Sequence, residues 1–599
     1  MDGQTSLHPR LGAAASADIV GRIISVSGSQ ASLGLLAAHL RKADDECITV
    51  GKFVGVRRGQ TLLVGMVTGI SLQVPAAARE QGFQGAAQLD MMGEISRDGQ
   101  GRSAFQRGIT HYPILGDEVA ALGSGELRTL YNISGARMID VGLLQQDATI
   151  VAQLDIDEML SKHFAVLGTT GVGKSSGVAL ILRETLKARP DLRMFLVDVH
   201  NEYANCFGNQ AQVVNPRNLK LPFWFFNFEE TVDVIFGGRP GVEDEVEVLS
   251  EVIPIAKSHY LQLRGPGDQP IIKRVDIRNS GFTVDTPVPY RLVDLVALID
   301  ERLGKLENRT SRSTYSRLIS RIETVSNNPR YAFMFENANV GGDTMAEILS
   351  NLFRVPMNGI PVTIMQLAGF PAEVVDAVVS VICRMAFDFG LWSDGAIPLL
   401  FVCEEAHRYA SADRSIGFGP TRKAISRIAK EGRKYGVHLG LVTQRPAELD
   451  PTIISQCSTL FVMRLTNDRD QALMRSAVSD AAANLLAFVP SLGTREVIAF
   501  GQGVALPTRM KFKELPPNLL KKSETVGSGT DDARGDVGHA FVSSVIERWR
   551  GATMSQKVKF EDPASAVSSL ATPRPAPDQA SQLLASDRFR ILKKPLVAD

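Results

Sequence analysis

The chain has 599 residues, 44% of them hydrophobic, with 65 basic side chains balanced by 65 acidic ones. That length exceeds a single hydrophobic core and predicts two or three folded units plus tails; zero net charge excludes a whole-chain pull on nucleic acid, so any such contact must come from local basic surface. Five scattered cysteines without C-x-x-C spacing exclude a zinc or disulfide framework and fit a reducing compartment. No basic stretch leading into an apolar core opens the chain, and no apolar run reaches bilayer-spanning length. The expected location is the cytoplasm, away from the membrane.

The first section, residues 1–145, carries short β-patterned runs at Val20–Val26, Cys47–Arg57, Thr61–Leu72 and Glu118–Leu122, separated by glycine-bearing turns. Such spacing predicts a small barrel, expected to serve as a docking or oligomerisation collar. The second section, 146–515, alternates buried strands with helical patterns. Strands are predicted at His163–Leu167, Met194–Asp198, Val362–Gln366, Leu399–Cys403, Leu439–Thr443 and Thr459–Leu465, giving an α/β fold with a mainly parallel sheet covered on both faces. Between Glu229 and Asn337 the pattern becomes helical and charged, as at Pro289–Leu306 and Ser311–Val325, which reads as an insertion within the sheet domain. The last section, 516–599, is rich in Ser, Ala, Pro and Asp over Lys521–Gly538 and Ala552–Ala585, predicting a partly disordered tail. Within that tail His539–Arg550 has a helical apolar stripe, and Phe589–Lys594 is apolar and basic.

Chemistry enters at Gly168-Thr169-Thr170-Gly171-Val172-Gly173-Lys174-Ser175, with Ser176 opening the following helical pattern. The run fits G-x-x-x-x-G-K-[S/T] between a strand and a helix, where backbone N–H groups and the helix dipole converge on phosphate. Next, Leu399–Cys403 ends in Glu404 and Glu405. If that strand neighbours the loop, Glu404 is placed to hold Mg²⁺ through water opposite the Ser175 hydroxyl, and Glu405 to orient the attacking water. Simple GTPase switches put no catalytic glutamate there, so ATP hydrolysis is the favoured chemistry. Leu441–Thr443 leads into Gln444, placed to sense the γ-phosphate. On the helix Arg422–Tyr435, Lys423, Arg427, Lys430 and Lys434 recur at +4, +3 and +4. Like charges repel, which calls for an anionic partner outside the subunit: a neighbour's γ-phosphate met by an arginine finger, or a DNA backbone. Arg414, Arg422 and Lys423 are the candidate DNA contacts.

Gly168–Ser175, Asp198–Tyr203, Glu404–His407 and Lys430–Gly436 with Thr443–Pro446 together resemble HerA, of the HerA/FtsK group of DNA-translocating ATPases. The resemblance implies a RecA-like P-loop ATPase core, a homo-hexameric ring with ATP sites at subunit boundaries, double-stranded DNA in the channel, and a nuclease or other effector docked on the N-terminal barrel face. It implies that Lys174 and Ser175 bind phosphate and Mg²⁺, that Glu404 and Glu405 form the acidic pair, that Gln444 is the sensor, and that Arg433 or else Arg427 is the finger. Asp198 and Glu202 would lie near the nucleotide. Asn201 departs from the family's usual glycine. DNA processing or antiviral defence is the implied setting. A second hypothesis is a scaffold ring whose nucleotide state gates its effector; a membrane-associated secretion ATPase is disfavoured by the missing hydrophobic anchor.

Overall fold

The computed structural model describes residues 19–519 apart from 38–46, 98–102, 133–136, 263–280, 306–308, 337, 339–342, 369, 371, 415–416 and 479–483. The helical stripe at His539–Arg550 and the run Phe589–Lys594 lie outside these residues. Among the described residues no helix is long and apolar enough to cross a membrane.

Seven strands make the N-terminal section: β1 (Ile19–Ser27), β2 (Gln30–Leu36), β3 (Phe53–Arg58), β4 (Thr61–Ser71), β5 (Phe83–Arg97), β6 (Ser103–Arg107) and β7 (Glu118–Ala121). They pair in the order β2-β1-β7-β3-β4-β5-β6, and a further β2–β5 ladder closes six of them into a barrel with β6 appended. Closure removes the free edges that an open sheet would expose. The barrel fills itself with residues such as Val20, Leu33, Val54, Val67 and Leu89. Residues 47–52, predicted as part of a strand, form turn and bend instead.

The large sheet comprises β8 (Met138–Leu144), β9 (Val151–Asp155), β10 (His163–Leu167), β11 (Arg193–Asp198), β12 (Ala211–Val214), β13 (Val362–Gln366), β14 (Leu399–Glu404), β15 (Val437–Thr443), β16 (Cys457–Val462), β17 (Glu496–Gly501) and β18 (Thr508–Phe512). Its order is β12-β13-β11-β14-β15-β10-β16-β17-β18-β8-β9. From β12 to β16 every ladder is parallel, and the remaining ladders are antiparallel. Strands such as β10 and β14 are buried at every residue, as expected where helices cover both faces. Met138–Leu144 hydrogen-bonds to β18 and so belongs to the large sheet rather than to the barrel.

Helices Phe228–Phe236, Glu243–Gln262, Leu292–Gly304 and Arg309–Ser326 lie between β12 and β13, where the insertion was predicted. Buried Glu230 fastens it to the sheet domain by accepting from Arg384 Nη2 at 2.9 Å and Ser380 Oγ at 2.9 Å. The barrel is fastened too. Arg107, at the end of β6, donates to the carbonyls of Ala505 at 2.6 Å and Gly501 at 2.9 Å, and also to that of Val504.

His163 anchors the base of β10. Its Nδ1 accepts from the Leu439 N–H at 2.9 Å, which leaves the Nε2 proton to donate to the Ala429 carbonyl at 2.9 Å. Burial holds this imidazole neutral and lowers its pKa to about 4.

Candidate nucleotide site

β10 runs into the glycine loop, and the helix Lys174–Ala188 leaves it. Two backbone positions make the turn possible, Gly171 with φ 78° and Gly173 with φ 88°, a region that side chains with a Cβ resist. Gly168 serves a different end: a Cβ there would come within 2.8 Å of the Met463 side chain. Lys174 is buried at the start of the helix, whose N-terminal N–H groups remain for an anion.

The acidic pair does not neighbour the loop strand directly. β15 lies between β10 and β14, and the ladders put the strand ends level: Leu167 pairs with Thr443, and Val442 with Glu404. The loop, Gln444 and Glu404-Glu405 therefore leave the same edge of the sheet, with the sensor strand in the middle. Thr170 Oγ1 donates to Gln444 Oε1, so loop and sensor touch.

Ser175 Oγ donates to Glu202 Oε2, not to Glu404. The turn that delivers Glu202 follows β11. Asp198 accepts from the N–H groups of Glu202 at 3.0 Å and Tyr203 at 3.1 Å, and Asn201 adopts φ 56° between them. Asparagine tolerates this left-handed backbone better than other side chains, so the departure from glycine at 201 preserves the turn.

Glu404 is 2% exposed and accepts from the Val199 N–H at 3.0 Å. Burial, together with the facing carboxylates of Asp198 and Glu202, pushes its pKa up to about 8. Burial raises Asp198 as well. A cluster this rich in carboxylates is short of positive charge, a need that a cation and the Lys174 ammonium would meet. Among the described residues no three His, Cys, Asp or Glu side chains form a ready-made metal cage. The donor set suits Mg²⁺, which keeps water and phosphate oxygens as most of its ligands.

Glu405 turns back from the strand with φ 49°. Its two carboxylate oxygens lie 3.5 Å from His200 Nε2 and 3.2 Å from His407 Nδ1. His407 Nδ1 also stands 2.9 Å from Thr443 Oγ1, which ties the carboxylate to the end of β15. Burial lowers the His407 pKa, against the pull of Glu405. The sequence reading gave neither histidine a role, although both flank acidic residues it had singled out.

The cations behave differently. The helix Gly419–Glu431 continues into a 3₁₀ turn, Gly432–Tyr435. Two members of the predicted row are satisfied within the chain: Lys423 pairs with Glu229 at 2.9 Å, and Arg427 pairs with Asp388 at 3.2 Å while lying 4.0 Å over the Phe387 ring. Self-repulsion along the helix therefore does not by itself require an outside anion. Arg433 is exposed; its carbonyl accepts from the Gly436 N–H at 3.3 Å, but its guanidinium has no partner among the described residues. It precedes β15, whereas Gln444 follows it. Seven strand residues at about 3.3 Å each separate them by roughly 20 Å. Arg414 is exposed and Arg422 half-buried, and neither guanidinium has a partner among the described residues; both lie between β14 and β15 in sequence, in or just after the loop that leaves the carboxylate edge.

Residues 139–386 match the family model described as "Helicase HerA, central domain". The chain is 25% identical over 492 residues to a probable helicase of Methanocaldococcus jannaschii, covering 78% of this chain and 86% of that one. It is 26% identical over 451 residues to the DNA double-strand break repair helicase HerA of Pyrococcus furiosus, covering 67% and 74%. Among solved structures, VirB4 of Thermoanaerobacter pseudethanolicus aligns at 15% identity and TM-score 0.43, over 65% of this chain and 99% of that one.

Proposed function

We propose that the chain, similar to HerA across its central domain, is a P-loop ATPase that hydrolyses ATP in a ring, most simply a hexamer, to translocate along double-stranded DNA. One observation carries the reading. Loop, sensor and carboxylates converge on one edge of the sheet, while the free Arg433 sits at the other edge. In this reading each chain brings the phosphate-binding and water-orienting groups to one edge, and the arginine finger, Arg433, comes from an adjoining copy.

In this reading the loop N–H groups and Lys174 hold the phosphate chain. Glu405, steadied by His200 and His407, orients and polarises the attacking water. Gln444, released from Thr170, reports the γ-phosphate to β15. Ser175, Glu202 and Glu404 would hold Mg²⁺, which neutralises charge on the phosphates when bound. Arg433 from the neighbour stabilises charge on the transferred group, a contribution of about 10³–10⁵ in rate for such fingers.

DNA contacts are expected to be to phosphates, and so independent of sequence, through Arg414 and Arg422, with Lys423 available once it leaves Glu229. Arg107 fixes the barrel to the sheet, so a nuclease or other effector docked on the barrel would follow the ATPase cycle. The deciding measurement is ATPase rate with and without duplex DNA at low and moderate salt. Stimulation that fades with salt is expected of the motor; none at any salt would favour the gated scaffold, and a strictly monomeric preparation at full activity would refute the shared site.

A further inference from the structure

Arg495 stands beside the glycine loop with φ 64°, a left-handed backbone that persists for a residue with a Cβ only where neighbours hold it. Its N–H donates to the Val172 carbonyl at 2.8 Å, and its carbonyl accepts from the Phe512 N–H at 3.0 Å. Its Cγ lies 2.9 Å from where a Cβ of Gly173 would stand, and Ser176 Oγ lies 3.4 Å from the same point. The guanidinium, one quarter exposed, pairs at 2.7 Å with Glu514, which is three quarters exposed. Two residues from Glu514, the Phe512 ring packs against Gly177 on the loop helix.

Sheet order gives this position its meaning. β10 has β15 on one side, bringing Gln444 and beyond it Glu405; on the other side come β16 and then β17, which Arg495 immediately precedes. A triphosphate whose γ end faces Glu405 and Gln444 must run its nucleoside end toward the opposite flank. We propose that Arg495 is a nucleotide-binding residue that covers the nucleobase of ATP, the plane of its guanidinium stacking on the ring after release from Glu514. Guanidinium groups stack on aromatic faces, and a surface ion pair is weak enough to exchange. The inference rests on reading Gly168–Ser176 as the nucleotide loop.

The test compares ATP with inorganic tripolyphosphate, which has the phosphates and no base. Both are measured as competitors of a fluorescent ATP analogue on the full chain. Arg495→Ala should weaken ATP by about 5- to 10-fold and leave tripolyphosphate unchanged, with KM rising more than kcat falls. Arg495→Gly keeps the backbone bonds and removes the φ strain; it should show the same selective loss, whereas Glu514→Ala should tighten ATP. Equal loss for both competitors would overturn the proposal, since it would mean that Arg495 only shapes the loop. Unchanged ATP affinity in both Arg495 variants would overturn it too, while leaving the ATPase reading intact. A wild-type chain that binds neither competitor would refute the nucleotide loop itself, and this inference with it.

Discussion

The two ends of β15 are built on opposite terms. At the C-terminal end acidic groups crowd together and find partners within the chain: Glu202 takes the Ser175 hydroxyl, Glu404 the Val199 N–H, and Glu405 sits between two histidines. The N-terminal end leaves the Arg433 guanidinium without a partner among the described residues, and near it Trp392, at the end of the helix Ala372–Trp392, is 83% exposed. The two lie close because Gly395, just beyond that helix, packs on Tyr435 and Gly436. Acidic groups drawn together at one end, with an arginine and a tryptophan exposed at the other, are what the proposed division of the site between copies requires.

The strongest way to break this comparison is at the carboxylate end. Glu405→Gln should cut turnover by about 10²–10⁴ while ATP binding survives, as separate turnover and binding assays would show. Arg433→Ala is expected to cost about 10³ in rate. Mixing these two inactive variants should restore part of the turnover, because some interfaces then combine an intact Glu405 with an intact Arg433. Strictly additive loss in mixed rings would place Arg433 outside the neighbour's site. Trp392→Ser should weaken self-association by about tenfold, since an exposed aromatic anchor at an interface is worth more than 1 kcal/mol; sedimentation across a concentration series would reveal it.

A smaller effect concerns acid. His163 is neutral in the fold, with a pKa of about 4 against 6.5 in the unfolded chain, so the unfolded state gains the proton first. The stability this contributes is complete above pH 6.5 and is lost as pH falls toward 4, about 3 kcal/mol in all. Unfolding midpoints should fall across that window, and His163→Asn should flatten the slope. Smallest is Asp233, which burial, together with Asp376, raises to about 6. Its charge disfavours the fold near pH 7, and the penalty fades as pH falls from 6 toward 4. Asp233→Asn should therefore raise stability at neutral pH by about 1 kcal/mol after allowance for solvent screening, and leave it nearly unchanged at pH 4.

The parallel half of the sheet was legible because burial on both faces writes near-continuous apolar runs. β10 and β13 occupy their predicted residues. The antiparallel half was not. β8, β9, β17 and β18 owe their burial to partners far away in sequence, such as Met510 opposite Leu144, and no local period announces that. In the barrel, β5 contains Gly85 and Gly93, which resemble breaks in the sequence, yet Gly93 allows close strand approach. At Gly93 a Cβ would meet the Gln106 carbonyl at 2.4 Å. At the candidate site, motif spacing alone is enough to single out Lys174, Ser175, Glu404, Glu405 and Gln444 for the roles proposed here. The contacts of Glu202, His200, His407 and Arg495 could not, because tertiary approach sets them.

Arg107 gives the assembly a mechanical character. One side chain from the barrel's last hairpin grips the tight bend 501–505 that joins β17 to β18, and the same two strands bear on the phosphate loop through Arg495 and Phe512. If the barrel is the collar of the proposed ring, a load pulling on it would reach that bend first and then the wall of the phosphate cradle, so that cargo would tug on the engine's own fuel port.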